Sequence, residues 1–132
     1  MSSFFIEKKI YYHDTDCGGV VYYANYLKHL EEARTEFCYS LGIDLKKLSE
    51  KGILFAVVHL EINYKAPARY QDTVSIFTNI EKIKRVSLQF FQEIKKENIT
   101  ILIANTTWVC INNNFKSRSI PHKIRQLFVA NI

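Results

Sequence analysis

From Thr73 to Ile83 the chain alternates, with Val74, Ile76, Thr78 and Ile80 on one side. That two-residue period predicts a half-buried strand. From Tyr22 the period is longer. Tyr23, Tyr26, Leu27, Leu30, Ala33, Phe37, Cys38 and Leu41 recur at helical spacing, with Lys28, Glu32, Thr35 and Glu36 among the polar positions. The spacing predicts a helix over 22–41, stopped by Gly42. Its apolar stripe is broad, so it should be largely enclosed. Asp44 can cap a short second helix over 44–51. Strands are expected over 4–12, 53–64, 86–95 and 99–111, the last two joined by the polar turn Lys96-Glu97-Asn98. Asn112-Asn113-Asn114 reads as another turn, and Pro121 can open a final short helix containing Ile124, Leu127 and Phe128. Strand, long helix and four consecutive strands imply an α+β fold: a mostly antiparallel sheet packed on the helix.

At 132 residues and 48% hydrophobic composition, the chain suits a single folded domain over 1–132. No apolar run is long enough to span a membrane, and Phe4-Phe5-Ile6 before Glu7-Lys8-Lys9 does not read as a secretory signal. Cys17, Cys38 and Cys110 have no metal-ligand spacing, and neither have His13, His29, His59 and His122, so no metal or cofactor is expected. An odd cysteine count suggests a reduced, cytoplasmic compartment. Residues 1–80 carry 9 basic and 10 acidic side chains, whereas 81–132 carry 9 and 3. The net +6 of that second part admits an anionic partner or a merely solvated surface. No recognised nucleic-acid motif accompanies it, which makes nucleic acid the weakest partner.

The densest chemistry lies in Tyr12-His13-Asp14-Thr15-Asp16-Cys17-Gly18-Gly19-Val20-Val21-Tyr22-Tyr23-Ala24-Asn25-Tyr26. Two carboxylates precede a double glycine, and the double glycine precedes a helix start. A helix start offers unpaired N–H groups and the positive end of the macrodipole. Glycines admit close approach to the backbone. A carboxylate beside such donors can attack, or activate water to attack, a carbonyl that those donors polarise. Asp14, two residues before Asp16, points to the other side of an extended segment and is expected to fix the turn through backbone N–H groups. Glu31 and Arg34 are placed to form a structural pair at i, i+3. Cys17 has no histidine evidently placed to activate it.

Asp14-Thr15-Asp16-Cys17-Gly18-Gly19-Val20-Val21-Tyr22, Asn25-Tyr26, Glu31-Glu32-Ala33-Arg34-Thr35-Glu36, Tyr64-Lys65-Ala66-Pro67-Ala68-Arg69 and Arg118-Ser119-Ile120-Pro121 occur in order and at matching spacing. In these pieces, and over nearly its whole length, the chain resembles the hotdog-fold acyl-CoA thioesterases of the 4-hydroxybenzoyl-CoA thioesterase and YbgC (Tol-Pal-associated) group. The resemblance implies a sheet of about five strands wrapped around the long helix. It implies hydrolysis of an acyl-CoA thioester to free acid and CoA, with Asp16 as nucleophile or general base. The backbone N–H of Tyr23 would bind the thioester oxygen, with Gly19 and Val20 shaping the turn. Many YbgC-type members carry a histidine where this chain has Tyr23. Tyr26 and His59 would line the substrate site, His59 across a subunit boundary. Lys84, Arg85 and Arg118 would meet the phosphates of coenzyme A. The group builds its sites between subunits, so a homodimer or homotetramer is implied, with acyl carrier protein as an alternative acyl donor. Rival readings are a non-catalytic acyl-CoA or acyl-carrier-protein binding module and a hotdog hydratase or dehydratase. The latter chemistry usually draws on a histidine paired with an Asp or Glu.

Overall fold

The computed structural model describes residues 4–132. Its elements are β1 (Phe5–Lys9), α1 (Tyr26–Ser40), α2 (Leu45–Glu50), β2 (Leu54–Tyr64), β3 (Thr73–Ile83), β4 (Ser87–Lys96), β5 (Ile99–Ile111) and α3 (His122–Val129), with single 3-10 turns at Tyr12–Asp14 and Tyr23–Asn25. The strands form one antiparallel sheet in the order β1-β3-β4-β5-β2. The expected strand count and orientation hold. The expectation that consecutive strands are neighbours holds only for β3, β4 and β5. β1 adds beside β3, and β2 crosses to the far edge against β5.

Periodicity placed β3 and β5 at their observed limits, because each has one face buried and one half-exposed. Val74, Ile76, Thr78 and Ile80 are all buried. The first strand is shorter than the 4–12 expected. Tyr11 and Tyr12 leave the sheet, and Asp14 draws the chain into a 3-10 turn by accepting the Tyr11 N–H at 3.0 Å.

The helix begins later than the pattern implied, at Tyr26, after the 3-10 turn Tyr23–Asn25. Its buried face is Tyr26, His29, Leu30, Ala33, Arg34, Phe37 and Cys38. Leu27 belongs to the exposed side, and two polar residues take places on the enclosed stripe. Gly42 ends the helix at φ +85°, and the Ile43 N–H returns to the Cys38 carbonyl at 2.9 Å, closing the last turn. Asp44 caps α2 by accepting the Lys47 N–H at 3.2 Å.

α1 divides the core. Its first half packs with Val74, Ile76, Ile94, Leu102 and Ala104. Its second half packs with Ile80, Leu88, Phe90, Trp108, Cys110 and Phe128. There, edge-on ring pairs such as Phe90–Trp108, with centroids 4.7 Å apart, each add about 0.5–1.5 kcal/mol beyond simple burial. Between the halves runs a buried polar seam. Gln92 donates to the Leu30 carbonyl and to Thr78 Oγ1, both at 3.0 Å, and its Oε1 accepts from Arg34 Nη1 at 3.0 Å. Arg34 therefore turns into the core, and it has no ion pair with Glu31 within 4.0 Å among the described residues. The expected i, i+3 pair is not formed.

Candidate active site

The Asp-Thr-Asp-Cys-Gly-Gly segment folds into a tight hairpin at the start of α1. The Asp16 N–H bonds the Val20 carbonyl at 2.9 Å, and the Gly19 N–H returns to the Asp16 carbonyl at 3.1 Å. Gly19 sits at φ +79°, a conformation that costs other residues about 1–2 kcal/mol. Thr15 bridges Val21, and Val20 bridges Arg69, so the hairpin is stitched to the chain entering β3.

Asp14 and Asp16 face opposite ways, as an extended segment requires. Asp16 is exposed. Its Oδ1 accepts the Gly18 N–H at 2.8 Å, which orients the carboxylate, while Oδ2 has no partner among the described residues. It does not cap the helix; Tyr22 occupies the cap position of the 3-10 turn, with no side chain accepting there. Tyr23 is the first residue of that turn, so its N–H is of the unpaired class found at helix starts.

Asp14 is 1% exposed and ties the hairpin together. Its Oδ2 takes the Tyr11 N–H, and its main-chain carbonyl accepts both the Tyr22 N–H and Asn25 Nδ2, each at 2.9 Å. Its Oδ1 lies 3.2 Å from His29 Nε2 on α1. His29 Nδ1 lies 3.4 Å from Glu32 Oε1, which also pairs with Lys8 Nζ at 3.2 Å. Sequence reasoning found the turn-fixing role of Asp14 but missed His29 and Asn25. One signal was available: His29 stands at helical spacing from Tyr26 and Ala33, inside the enclosed stripe.

Three tyrosines gather at the turn that follows the hairpin. Tyr23 is largely exposed and lies 4.8 Å from Tyr22 and 6.4 Å from Tyr64, by ring centroids. Tyr64 reaches across from β2 to donate its hydroxyl to the Tyr23 carbonyl at 3.0 Å. Burial pushes the Tyr64 phenol above its ordinary range, so it stays a neutral donor. Tyr26, expected at the substrate surface, is 3% exposed, and its hydroxyl accepts the Ala68 N–H at 3.2 Å. It supports the site from beneath and does not line it. Its large ring completes the first half of the core, which is why periodicity alone could not tell a wall from a floor.

Lys84, Arg85 and Arg118 do come together. Arg85 Nη1 donates to Ser119 Oγ at 2.7 Å, the Ile120 N–H bonds the Arg85 carbonyl, and Arg118 Nη1 reaches the Gly52 carbonyl at 3.4 Å. Arg125, not anticipated, joins them by donating to the Lys84 carbonyl at 2.5 Å. Yet this basic group flanks the Ile83 end of β3, and Asp16 flanks the Thr73 end. Ten residue steps of strand separate those ends by about 33 Å. Within one chain the basic group does not share a site with Asp16. His59 lies between them, exposed on β2.

The chain resembles known proteins in both sequence and fold. Residues 18–103 match the family described as the thioesterase superfamily. A putative esterase of Aquifex aeolicus is 31% identical over 94% of this chain and 96% of its own length. The acyl-CoA thioester hydrolase YbgC of Escherichia coli is 36% identical over 88% of each. Among solved structures, Slr0204, a 1,4-dihydroxy-2-naphthoyl-CoA thioesterase from Synechocystis, superposes with a TM-score of 0.88 at 26% identity, over 97% of this chain and 96% of that one. With the five-stranded antiparallel sheet around α1 and the hairpin at its start, these matches establish that the chain belongs to the hotdog-fold thioesterase superfamily.

Proposed function

We propose that this protein hydrolyses acyl-CoA thioesters, with Asp16 as the reacting carboxylate. The observation that carries the reading is the exposed Asp16 carboxylate, oriented by the Gly18 N–H in the hairpin that leads into the uncapped turn at Tyr23, in a chain of the thioesterase superfamily. The Tyr23 N–H polarises the thioester oxygen and stabilises the charge that develops there. Asp16 Oδ2 then either attacks the carbonyl carbon, giving an anhydride that water opens, or takes a proton from the attacking water. In both routes the C–S bond breaks, the thiol leaves protonated, and one water is consumed per acid formed.

The working unit in this reading is a homodimer. β2 is a free sheet edge of 11 residues, with Val57, Val58, Leu60 and Tyr64 exposed. A long apolar edge of that kind invites pairing with another strand. Antiparallel pairing of β2 with its symmetry mate sets the Thr73 end of one sheet beside the Ile83 end of the other. Lys84, Arg85 and Arg118 of one subunit can then hold the CoA phosphates while Asp16 of the other meets the thioester, with Gly19 and Val20 shaping the turn and His59 lining the boundary.

Thiol release from a panel of aliphatic and aryl acyl-CoA thioesters tests the proposal. Turnover abolished by Asp16→Asn supports it; no turnover on any member of the panel favours the binding-module reading instead.

A further inference from the structure

His29, in the first turn of α1, is a buried titratable group with no part in the proposed reaction. It is 6% exposed, yet each of its ring nitrogens faces a carboxylate. Nε2 lies 3.2 Å from Asp14 Oδ1, and Nδ1 lies 3.4 Å from Glu32 Oε1, an oxygen that also pairs with Lys8 Nζ on β1 at 3.2 Å. His13 Nδ1 approaches the same Asp14 oxygen only to 3.8 Å, from an exposed position. A histidine paired with an aspartate is also the equipment of a hydratase. Here both members are enclosed, so the pair acts on the chain around it and not on a substrate.

Asp14 stands between the two groups that the reaction needs. Asp16 follows it by two residues in the hairpin. Its carbonyl accepts the Tyr22 N–H and Asn25 Nδ2, each at 2.9 Å, which fixes both ends of the stretch that presents the Tyr23 N–H. Asp14 Oδ2 is engaged by the Tyr11 N–H, beyond the end of β1. Oδ1 is left for α1, and His29 is the group on α1 that takes it. This contact spans 15 residues and ties a loop to a helix packed in the core. Reacting groups carried on a loop keep their geometry only when rigid elements hold them. A misplacement of about 1 Å costs about a hundredfold in rate.

We propose that His29 is a positioning residue: it anchors Asp14 to α1, and through Asp14 it holds the Asp16 carboxylate and the Tyr23 N–H in working register. The proposal rests on the reading of Asp16 and Tyr23 given above.

The test compares His29→Leu, which has no donor, with His29→Gln, whose amide nitrogen can still donate to Asp14 Oδ1. Ile80→Val, a change of similar cost in the other half of the core, controls for stability alone. In thiol release from acyl-CoA by the full chain, His29→Leu should lower kcat about tenfold to a hundredfold with KM within about twofold of the parent. His29→Gln should recover most of that rate, and Ile80→Val should keep the parent kcat. Amide hydrogen exchange, read residue by residue by NMR, reports on the hairpin without any turnover. The Tyr11 and Tyr22 N–H groups should exchange about tenfold faster or more in His29→Leu, the factor for losing a hydrogen bond to a charged group, and at the parent rate in Ile80→Val. His29→Asn, whose shorter amide falls on the Glu32 side, replaces His29→Leu if that variant does not fold. Absence of turnover in the parent would refute the hydrolase reading, and the exchange rates would then decide alone whether His29 anchors the hairpin. Parental kcat in His29→Leu, a loss in His29→Gln as deep as in His29→Leu, or unchanged exchange at Tyr11 and Tyr22 would each overturn the inference.

Discussion

At the scale of single residues, the two aspartates carry different burdens. Asp16→Asn keeps shape and removes charge, so kcat should fall by about a hundredfold or more with the melting temperature unchanged. A folded Asp16→Asn protein with near-normal thiol release would refute the assignment. The Asp14–His29 pair makes the opposite prediction. His29→Leu leaves a buried carboxylate one partner short and should cost about 1–3 kcal/mol of stability, read from chemical denaturation. The alternation of an extended segment was enough to tell the outward Asp16 from the inward Asp14. His29 was not legible in the same way. A histidine on an apolar stripe gives no sign of which distant group it meets, and here the group lies 15 residues back in a loop. The cysteines make a third test at this scale. Burial pushes the Cys38 thiol up to about 12 and raises Cys110, whereas Cys17 is exposed. A thiol reagent at neutral pH should modify Cys17 alone in the folded protein and all three after denaturation.

At the scale of elements, legibility follows how local the determinants are. β3 and β5 alternate cleanly, and their limits could be read directly. The stop of α1 could also be read, because a glycine at φ +85° is a local requirement. Gly42→Ala should therefore lower stability by about 1 kcal/mol, measured by denaturant titration. The start of α1 was misjudged because Asn25 and Tyr22 both bond the Asp14 carbonyl, a loop contact with no periodic trace. The place of β2 was hidden for a similar reason: pattern shows that a strand exists, not which edge it joins. That edge makes its own prediction. Val58→Lys, on the exposed centre of β2, should convert a dimer to a monomer in sedimentation velocity without unfolding the chain. A monomeric parent protein would remove the basis of the shared site.

At the scale of the whole molecule, the basic group and the aspartate hairpin stand at opposite ends of one sheet. If Arg85 holds substrate phosphates from the neighbouring subunit, Arg85→Ala should raise KM and spare kcat, since it binds ground and transition state alike. The effect should shrink in high salt and vanish for acyl-pantetheine thioesters that lack phosphate. Charge asymmetry between the two parts of the chain made this cluster visible in the sequence, but its distance from Asp16 was not, because sequence carries no measure of where a strand's two ends lie. That distance has a genetic consequence. In the proposed homodimer each site takes one half from either copy, so two defective genes should repair one another. Refolded together in equal amounts, Asp16→Asn and Arg85→Ala chains should form mixed dimers with one site wholly intact and the other doubly damaged. At substrate concentrations well below KM, about a quarter of all sites would then work normally, an activity that neither parent preparation has alone.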